Sequence, residues 1–345
     1  MTEERRGMLS VRDLRVWYGT ERGAAKAVNG VSFDLMPGET LGLVGESGCG
    51  KTTLGRGLLG LLPRGAFVDG DITFKGKPMP PLGSKEHRAL RGTELGMIFQ
   101  EPMTRLNPLM RISEHFEETM QAHDPGISKD QVRHRALEVL RVMGIPPTRY
   151  RSYPHEFSGG MRQRLTIALA LVLRPAFIVA DEPTTALDVL VEAQIIKILA
   201  DMRREFDTAL LLITHNLGIV AEACDRVAVM YAGRIVEMGE AREVFRNPEH
   251  PYTQELLRST ISLETTGLTY IPGAPPDLIM PPPGCLFHPR CPSAMEVCYE
   301  QRPVPLQLDS GQRVECWLHG PEDQIPSGGR EPKVMREELS LADEA

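Results

Sequence analysis

The alternation of apolar and polar positions predicts strands at the start of the chain and again in its second half. The run "MLSVRDLRVWYG" alternates as a half-buried strand does, and "AKAVNGVSFDLMPGETLGLVGESG" contains two more strands around the turn "MPGE". Further strand-like runs are "DITFKG", "LGMIFQ", "AFIVADE", "ALLLITH" and "RVAVMYAGRIVEMG". A helix is predicted to begin at Lys51, shortly after the apolar run "TLGLV".

Residues 111–173 have helical periodicity with charged faces, as in "KDQVRHRALEVLRVMGI". Strands that surround a helical insertion indicate an α/β core with an α-helical subdomain. Within residues 165–180, "LTIALALVLRPAFIVA" is the strongest candidate for a membrane span, but Arg174 and Pro175 interrupt it. We therefore predict a helix that stops at Leu173, followed by the buried strand "AFIVAD".

The composition changes from about residue 248. The stretch "IPGAPPDLIMPPPG" is dense in proline and is predicted to be extended, whereas the final "EDQIPSGGREPKVMREELSLADEA" is polar and is predicted to be mobile. No internal repeat is visible in the sequence. The pattern indicates one α/β unit followed by an extension.

Length and charge narrow the classes of function. A chain of 345 residues is long enough for two or three units that each bury a core. Its net charge of −7 is a poor basis for nucleic-acid binding, which needs a basic face. The start "MTEERRGMLSV" has no apolar segment of the kind found in signal peptides, so we expect the protein to stay inside the cell.

The segment "GESGCGKTT", residues 45–53, fits the phosphate-loop pattern G-x-x-x-x-G-K-[ST] between an apolar strand and a helix. Its glycines let successive backbone N–H groups turn toward phosphate oxygens, and the helix N-terminus adds partial positive charge. Lys51 is predicted to reach the β and γ phosphates, and Thr52 to ligate Mg²⁺. The predicted ATP-binding residues of this loop are Gly45, Ser47, Gly48, Cys49, Gly50, Lys51, Thr52 and Thr53.

A second part of a nucleotide site follows the apolar strand in "FIVADEP". Asp181, at the end of this strand, is predicted to bind Mg²⁺, and Glu182 to polarise the attacking water. The alternative is that the two acids have no catalytic role and only keep the end of a buried strand in contact with water. The sequence therefore predicts a nucleotide-hydrolysing site.

With "FSGGMRQR" and "FIVADEPTTALD", the chain resembles the ATPase subunit of an ATP-binding cassette (ABC) transporter, from about residue 8 to residue 260. The matching parts occur in the expected order: Tyr18, the phosphate loop, Gln100, Ser158, Gly159, Gly160, Asp181, Glu182, Asp188 and His215. The resemblance implies an α/β fold: a P-loop NTPase (RecA-like) core with an antiparallel β-subdomain, an inserted α-helical subdomain and a small irregular cysteine-rich C-terminal extension.

The resemblance also implies a domain division. It places an ABC nucleotide-binding domain at 1–250, with the helical subdomain at about 101–175. The oligopeptide/dipeptide transporter C-terminal extension is expected at 251–325, and a flexible tail at 326–345.

Ser158 is a natural N-cap, and the two glycines after it leave backbone N–H groups bare for an anion. In the family this helix faces the γ-phosphate of ATP held by another subunit. Because the chain has one phosphate loop, the resemblance implies a head-to-tail dimer with a second ATPase chain and two nucleotides between the chains.

The other site residues receive their roles from the resemblance. Glu182, His215 and Gln100 are the expected catalytic residues, with His215 contacting the γ-phosphate. Gln100, with Thr52 and Asp181, is expected at Mg²⁺ and would couple it to the helical subdomain. Asp188 is expected among the ATP-binding residues. Tyr18 is expected to stack on adenine, although the neighbouring Trp17 could do so instead.

Met161 departs from the glutamine that usually follows Ser-Gly-Gly, and the form "FSGGMRQR" resembles one ATPase subunit of oligopeptide and dipeptide importers. The stretches "QEPMTRLNP", "NPEHPYTQELLRS" and "PPPGCLFHPRC" are similar to the same subfamily. This narrower resemblance implies a second, non-identical ATPase chain, two membrane-spanning permease subunits and an extracytoplasmic solute-binding protein, with no nucleic acid. The expected location is the cytoplasmic face of a bacterial or archaeal cell membrane.

The extension holds four of the six cysteines of the chain, spaced as Cys285-x5-Cys291-x6-Cys298-x17-Cys316. Four thiolates suit tetrahedral zinc or an iron-sulfur cluster, but zinc ribbons favour C-x2-C pairs, which are absent from this sequence. The resemblance points to a [4Fe-4S] cluster, while zinc, free thiols or a disulfide stay open. Because the four cysteines lie outside the nucleotide motifs, we expect such a cluster to have a structural role. Cys49 and Cys224 are not expected to be ligands.

Several functions remain open at this point. The leading hypothesis is an ATPase that energises a peptide importer, although relatives of this kind also carry nickel complexes or oligosaccharides. A soluble ABC ATPase acting on ribosomes or DNA usually has two cassettes or a long coiled coil, neither of which this chain contains. A simple phosphotransferase would leave the Ser-Gly-Gly helix and His215 unexplained.

Overall fold

The structure, a computed structural model, describes residues 7–99, 106–184, 189–259 and 270–320. Within these ranges the strands are β1 (Leu9–Thr20), β2 (Gly23–Leu35), β3 (Thr40–Val44), β4 (Phe67–Phe74), β5 (Lys77–Pro78), β6 (Leu95–Ile98), β7 (Phe177–Asp181), β8 (Ala209–Ile213), β9 (Arg226–Tyr231), β10 (Arg234–Glu240), β11 (Leu306–Gln307) and β12 (Arg313–Val314). The helices are α1 (Lys51–Leu58), α2 (Lys85–Leu90), α3 (Ile112–Gln121), α4 (Lys129–Val142), α5 (Gly159–Leu171), α6 (Val189–Phe206), α7 (Leu217–Ala223), α8 (Ala241–Arg246), α9 (Pro251–Arg258) and α10 (Glu296–Glu300).

The first sheet is antiparallel and has the order β2-β1-β4-β5 within the described residues. Its strands carry the alternating pattern seen in the sequence, so that one face of the sheet is buried. That face packs with β3 and α1 in one hydrophobic cluster, which includes Leu14, Phe33 and Leu54. The predicted antiparallel β-subdomain is confirmed.

The second sheet has the order β11-β12-β10-β9-β3-β8-β7-β6 within the described residues. Its centre, from β9 to β6, is parallel, and β10 and β12 join it as antiparallel neighbours. Every residue of β3, β7 and β8 is buried, as expected for strands covered on both faces. The predicted α/β core is confirmed.

The strand order brings the predicted chemistry to one edge. In the sheet, β3 lies next to β8, and β8 lies next to β7, all parallel. The carboxyl ends of these strands therefore face the same way, and ligands of such sheets bind at that edge. The phosphate loop follows β3, the acidic pair ends β7, and His215 follows β8.

The helical subdomain is built from α3, α4 and α5, which share a core containing Phe116, Leu140 and Leu165. Helix α5 ends at Leu171, two residues before the predicted Leu173. Arg174 has φ 53°, and Pro175 follows it, so the helix cannot continue into β7. No helix in the described ranges is both long and apolar enough to span a membrane.

The described part of the extension, residues 270–320, joins the main sheet. Strand β12 pairs with β10 in the register Glu237↔Val314 and Met238↔Arg313, and β11 pairs with β12. These strands were not predicted from the sequence, because two residues are too few to show alternation. The proline-rich stretch before Gly284 forms neither helix nor strand.

Candidate functional site

The phosphate loop links β3 to α1 through residues in the left-handed region of backbone space. Gly45, Gly48 and Gly50 have φ of 149°, 81° and 107°. A Cβ atom on Gly45 would lie 2.1 Å from the carbonyl oxygen of Met230, and one on Gly50 would lie 2.0 Å from that of Ala27. These contacts require glycine at both positions, which the loop pattern supplies. Ser47 and Gly48 are exposed at the tip of the loop.

Lys51 is buried beneath this loop, with 6% of its surface exposed. Its Nζ donates hydrogen bonds to the carbonyl oxygens of Gly45 at 2.7 Å and Glu46 at 3.0 Å. The loop that would bind the phosphate therefore also holds the Lys51 ammonium group in place.

The start of α1 meets the end of β7 at Thr52 and Asp181. The Thr52 hydroxyl donates a hydrogen bond of 2.9 Å to Asp181 Oδ1. Burial raises the pKa of Asp181, while the Thr52 hydrogen bond and then the Arg56 charge lower it. Hydroxyl and carboxylate oxygens are ligands that Mg²⁺ prefers, so these two residues could hold the ion that accompanies nucleotide phosphates.

Glu182 and His215 lie together beside this pair. Nδ1 of His215 is 3.6 Å from Oε2 of Glu182, and the His215 side chain is 67% exposed. This exposure argues against a buried structural histidine. Glu182 has φ 47°, a strained value for a residue with a side chain, and its N–H donates to the carbonyl oxygen of Ile213. The Glu182 carboxylate lies directly after β7 and faces the His215 ring, which follows β8.

Tyr18 and Trp17, near the end of β1, contact different parts of the molecule. The Tyr18 hydroxyl donates to Oγ1 of Thr53 at 3.4 Å, which places Tyr18 at the phosphate loop. Trp17 instead packs on Phe67, with ring centroids 5.0 Å apart, and lies under the Lys26 ammonium. Of the two rings, Tyr18 is the one in hydrogen-bond contact with the predicted site.

Ser158 caps α5 by accepting a hydrogen bond from the N–H of Met161, as the sequence predicted. Ser158 and Gly159 are exposed, and a Cβ on Gly159 would meet nothing within 4 Å. Among the described residues, no hydrogen bond joins Ser158 to the phosphate loop. Within the described part of one chain, the start of α5 is therefore exposed and is not hydrogen-bonded through Ser158 to the phosphate loop.

Two predicted site residues, Gln100 and Asp188, lie outside the described residues. Their expected roles at Mg²⁺ and at ATP stay predictions.

The four extension cysteines are free thiols gathered in one region. The N–H of Cys285 donates to the carbonyl oxygen of Cys298 at 2.8 Å. Burial is the largest cause of a raised pKa in all four thiols, and neighbouring cysteines add to it at Cys285, Cys291 and Cys316. Together these causes raise the pKa of Cys285 to about 12 and that of Cys291 to about 11. No three cysteine, histidine or acidic side chains in the described ranges are grouped as ligands of one metal ion.

Sequence reasoning missed the contacts of Glu46, which lies inside the phosphate loop. Its carboxylate forms an ion pair with Arg290 of the extension, at 2.7 Å from Nη1. Its N–H donates to the hydroxyl of Tyr252 at 2.8 Å. The partners are far from Glu46 in the sequence, so no spacing pattern could have indicated them.

Comparison with known proteins gives the same picture. The family model described as "ABC transporter" matches residues 28–185, and that described as "Oligopeptide/dipeptide transporter, C-terminal region" matches residues 236–298. The chain is 47% identical over 317 residues to Dipeptide transport ATP-binding protein DppD of Bacillus subtilis (strain 168), covering 90% of this chain and 94% of the relative. It is 48% identical over 301 residues to Oligopeptide transport ATP-binding protein OppD of Salmonella typhimurium, covering 86% and 90%.

Among solved structures, "Dimeric Structure of MJ0796, a Bacterial ABC Transporter Cassette" matches with a TM-score of 0.61 and 25% identity, covering 68% of this chain and 99% of that one. The family predicted from the sequence motifs is therefore confirmed. The chain belongs to the ABC transporter family, among the ATP-binding proteins that carry the oligopeptide/dipeptide transporter C-terminal region.

Proposed function

We propose that this chain hydrolyses ATP to energise a membrane importer of peptides. The observation that carries the proposal is the hydrogen bond between Thr52 and Asp181, which joins the phosphate loop to the acidic strand end beside Glu182 and His215. The names of the relatives, which are dipeptide and oligopeptide transport ATP-binding proteins, support the substrate class.

Each residue of the site has its own role in the transfer of the γ-phosphoryl group of ATP to water. The loop N–H groups and Lys51 hold the phosphates, and Thr52, Asp181 and Gln100 would hold Mg²⁺, which neutralises phosphate charge when bound. Glu182 accepts a proton from the water that attacks the γ-phosphorus, the bond to the ADP oxygen breaks, and ADP and phosphate leave. His215 contacts the γ-phosphate, and Tyr18 stacks on adenine.

A second ATPase chain completes the site. The exposed start of α5 carries uncovered N–H groups at Ser158 and Gly159, and the basic composition of "MRQR" after it suits an anion. The dimeric ABC cassette to which the fold is similar supports a pair of nucleotide-binding chains. We place a non-identical ATPase chain opposite this one, two permease subunits against the pair at the cytoplasmic face of the membrane, and a solute-binding protein outside.

Peptide import is tested with the chain assembled with its permease and ATPase partners in proteoliposomes. ATP inside the vesicles or on the cassette side should drive uptake of a labelled di- to pentapeptide, and removal of ATP should abolish it. Uptake of a nickel complex or an oligosaccharide in place of peptides would overturn the peptide assignment. Purification of the chain with ribosomes or DNA, and without membrane proteins, would overturn the transport function.

We also propose that Cys285, Cys291, Cys298 and Cys316 hold a [4Fe-4S] cluster with a structural role. Cys291 and Cys298 raise the pKa of Cys285, and all three raise the pKa of Cys316, which supports the proximity of the four thiols. The match of this region to the oligopeptide/dipeptide transporter C-terminal region supports the cluster as the first choice. Zinc is the alternative, although zinc ribbons favour C-x2-C pairs, which are absent from this sequence.

Anaerobically purified protein should then be brown and contain about four irons per chain. Replacing any one of the four cysteines with serine should remove the colour and loosen the region after about residue 270, while ATP still binds. Stoichiometric zinc without iron in metal-replete preparations would contradict the cluster, and an unchanged fold without all four thiols would contradict the structural role.

A further inference from the structure

The C-terminal extension holds the phosphate loop through one ion pair. The two carboxylate oxygens of Glu46 accept hydrogen bonds from Nη1 and Nη2 of Arg290 at 2.7 and 2.9 Å, across 244 positions of sequence. The Arg290 side chain is 3% exposed and that of Glu46 is 24% exposed. A guanidinium that binds a carboxylate with both nitrogens fixes its orientation as well as its distance.

The remaining N–H groups of Arg290 tie this pair to the rest of the extension and to the sheet. Nε donates to the carbonyl oxygen of Pro272 at 2.8 Å, and Nη2 donates to that of Ile271 at 3.2 Å. Nη1 also donates to the hydroxyl of Tyr231, at the end of β9, at 3.4 Å. With the two bonds to Glu46, these contacts engage the five N–H donors that a guanidinium has. The arginine is therefore fixed in one position.

The main chain of Glu46 is held from the same side. Its N–H donates to the Tyr252 hydroxyl, and its carbonyl oxygen accepts from Lys51 Nζ at 3.0 Å. Tyr252 is fully buried and packs against Tyr231 and Phe287, with ring centroids 4.6 and 5.4 Å away. A shift of Glu46 would thus remove a carbonyl partner of the lysine that binds phosphate.

We propose that Arg290 is a positioning residue for ATP binding. Through Glu46 it holds the first half of the phosphate loop in the shape that receives the phosphates, so that ATP affinity depends on the docked extension. A loop that is already ordered loses less conformational freedom when the nucleotide binds.

The chain offers a matched control in Arg234 of β10. Its Nε and Nη2 donate to the two carboxylate oxygens of Glu315 at 2.6 and 2.9 Å, and the side chains are 15% and 6% exposed. This pair has the same chemistry and also joins the extension to the core, but it does not touch the phosphate loop. Its loss loosens the extension without releasing Glu46.

The test compares Arg290→Met with Arg234→Met in the full chain and in the assembled transporter. Arg290→Met should raise the Kd for ATP and the KM of transport-coupled hydrolysis about tenfold, a typical coupling between contacts of this kind. The kcat at saturating ATP should stay within about twofold, because Glu182 and His215 are unchanged. Arg290→Lys should restore affinity only in part, since an ammonium cannot form the fork. Arg234→Met should lower the thermal unfolding midpoint and leave the Kd for ATP unchanged.

Glu46→Gln separates geometry from charge. Loss of a negative charge beside the phosphates would by itself strengthen ATP binding, whereas loss of the fork to Arg290 should weaken it. We expect weaker binding in this variant, and no further weakening when Arg290→Met is added. Unchanged or tighter ATP binding by Glu46→Gln would overturn the proposal. This variant therefore tests the proposal even if Arg290→Met does not fold. Equal weakening by Arg234→Met would also overturn it, because a loosened extension alone would then explain the effect.

Discussion

At the scale of the residue, removal of the Lys51 side chain tests phosphate binding most directly. Its ammonium group is buried and already faces the loop carbonyls of Gly45 and Glu46. Lys51→Ala should raise the Kd for ATP at least about tenfold, the magnitude of a lost hydrogen bond to a charged group. The exposed Lys85→Ala is the control and should bind normally. Tight ATP binding by Lys51→Ala, measured by calorimetry, would count against the phosphate-loop assignment.

His250 gives the protein a component of acid sensitivity. Burial lowers its pKa to about 3 from 6.5, with the His319 charge second, and its Nδ1 accepts from the N–H of Tyr252. Between these pH values the unfolded chain binds the proton and the folded chain does not, so stability present above pH 6.5 is lost as the pH falls toward 3.

His250→Asn keeps a cap for α9 but does not titrate. Between pH 7 and pH 5 the wild-type free energy of unfolding should therefore fall by about 2 kcal/mol more than that of the variant. Urea titrations at the two pH values measure this difference. Parallel pH dependence in the two proteins would show that folding does not lower the pKa of His250.

Several site residues could be predicted from the sequence because short motifs fix them locally. Gly45 and Gly50 lie in one loop whose backbone geometry requires glycine, and Lys51 follows them at a fixed spacing in the same motif. The contacts of Glu46 could not be predicted in this way, because Arg290 approaches it only after the extension has packed on the end of the sheet.

At the scale of the element, we propose that the start of α5 acts on the nucleotide of a facing chain. A Cβ on Gly159 would meet nothing within 4 Å, so Gly159→Ala should leave folding and ATP binding by the isolated chain unchanged. In the assembled transporter the methyl group would stand where the nucleotide of the facing chain approaches, and hydrolysis should fall at least about tenfold, a cost typical of a displaced phosphate contact.

Gly126→Ala is the matched control, since Gly126 is exposed between α3 and α4 and its Cβ would have only an ordinary contact of 3.6 Å with Asp124. Normal transport-coupled hydrolysis by Gly159→Ala would contradict the shared site.

The sequence predicted elements well where periodicity extends over a whole strand or helix, as in β3, β8 and α4. It failed at the two-residue strands β11 and β12: β12 forms by pairing with the edge of β10, and β11 by pairing with β12. Pairing of that kind depends on tertiary structure and leaves no local pattern.

At the scale of the whole molecule, the strand order brings three motifs that are separate in the sequence together at one site. The residues after β3, β7 and β8 come from widely separated parts of the chain and meet because these strands are parallel neighbours. The start of α5 is not joined to that site by any hydrogen bond of Ser158 within the described residues. We therefore expect the isolated chain to hydrolyse ATP poorly, and strong activity in a strictly monomeric preparation would contradict this expectation.

The central claim, that this chain uses ATP hydrolysis to energise transport, is tested most directly by Glu182→Gln in the assembled transporter. The amide cannot accept the proton of the attacking water, so transport-coupled hydrolysis should fall at least about a hundredfold, the magnitude of a lost general base. ATP should still bind and trap the closed dimer, and Glu222→Gln on the exposed face of α7 should behave as wild type. Near-normal turnover by the Glu182→Gln transporter would contradict the account.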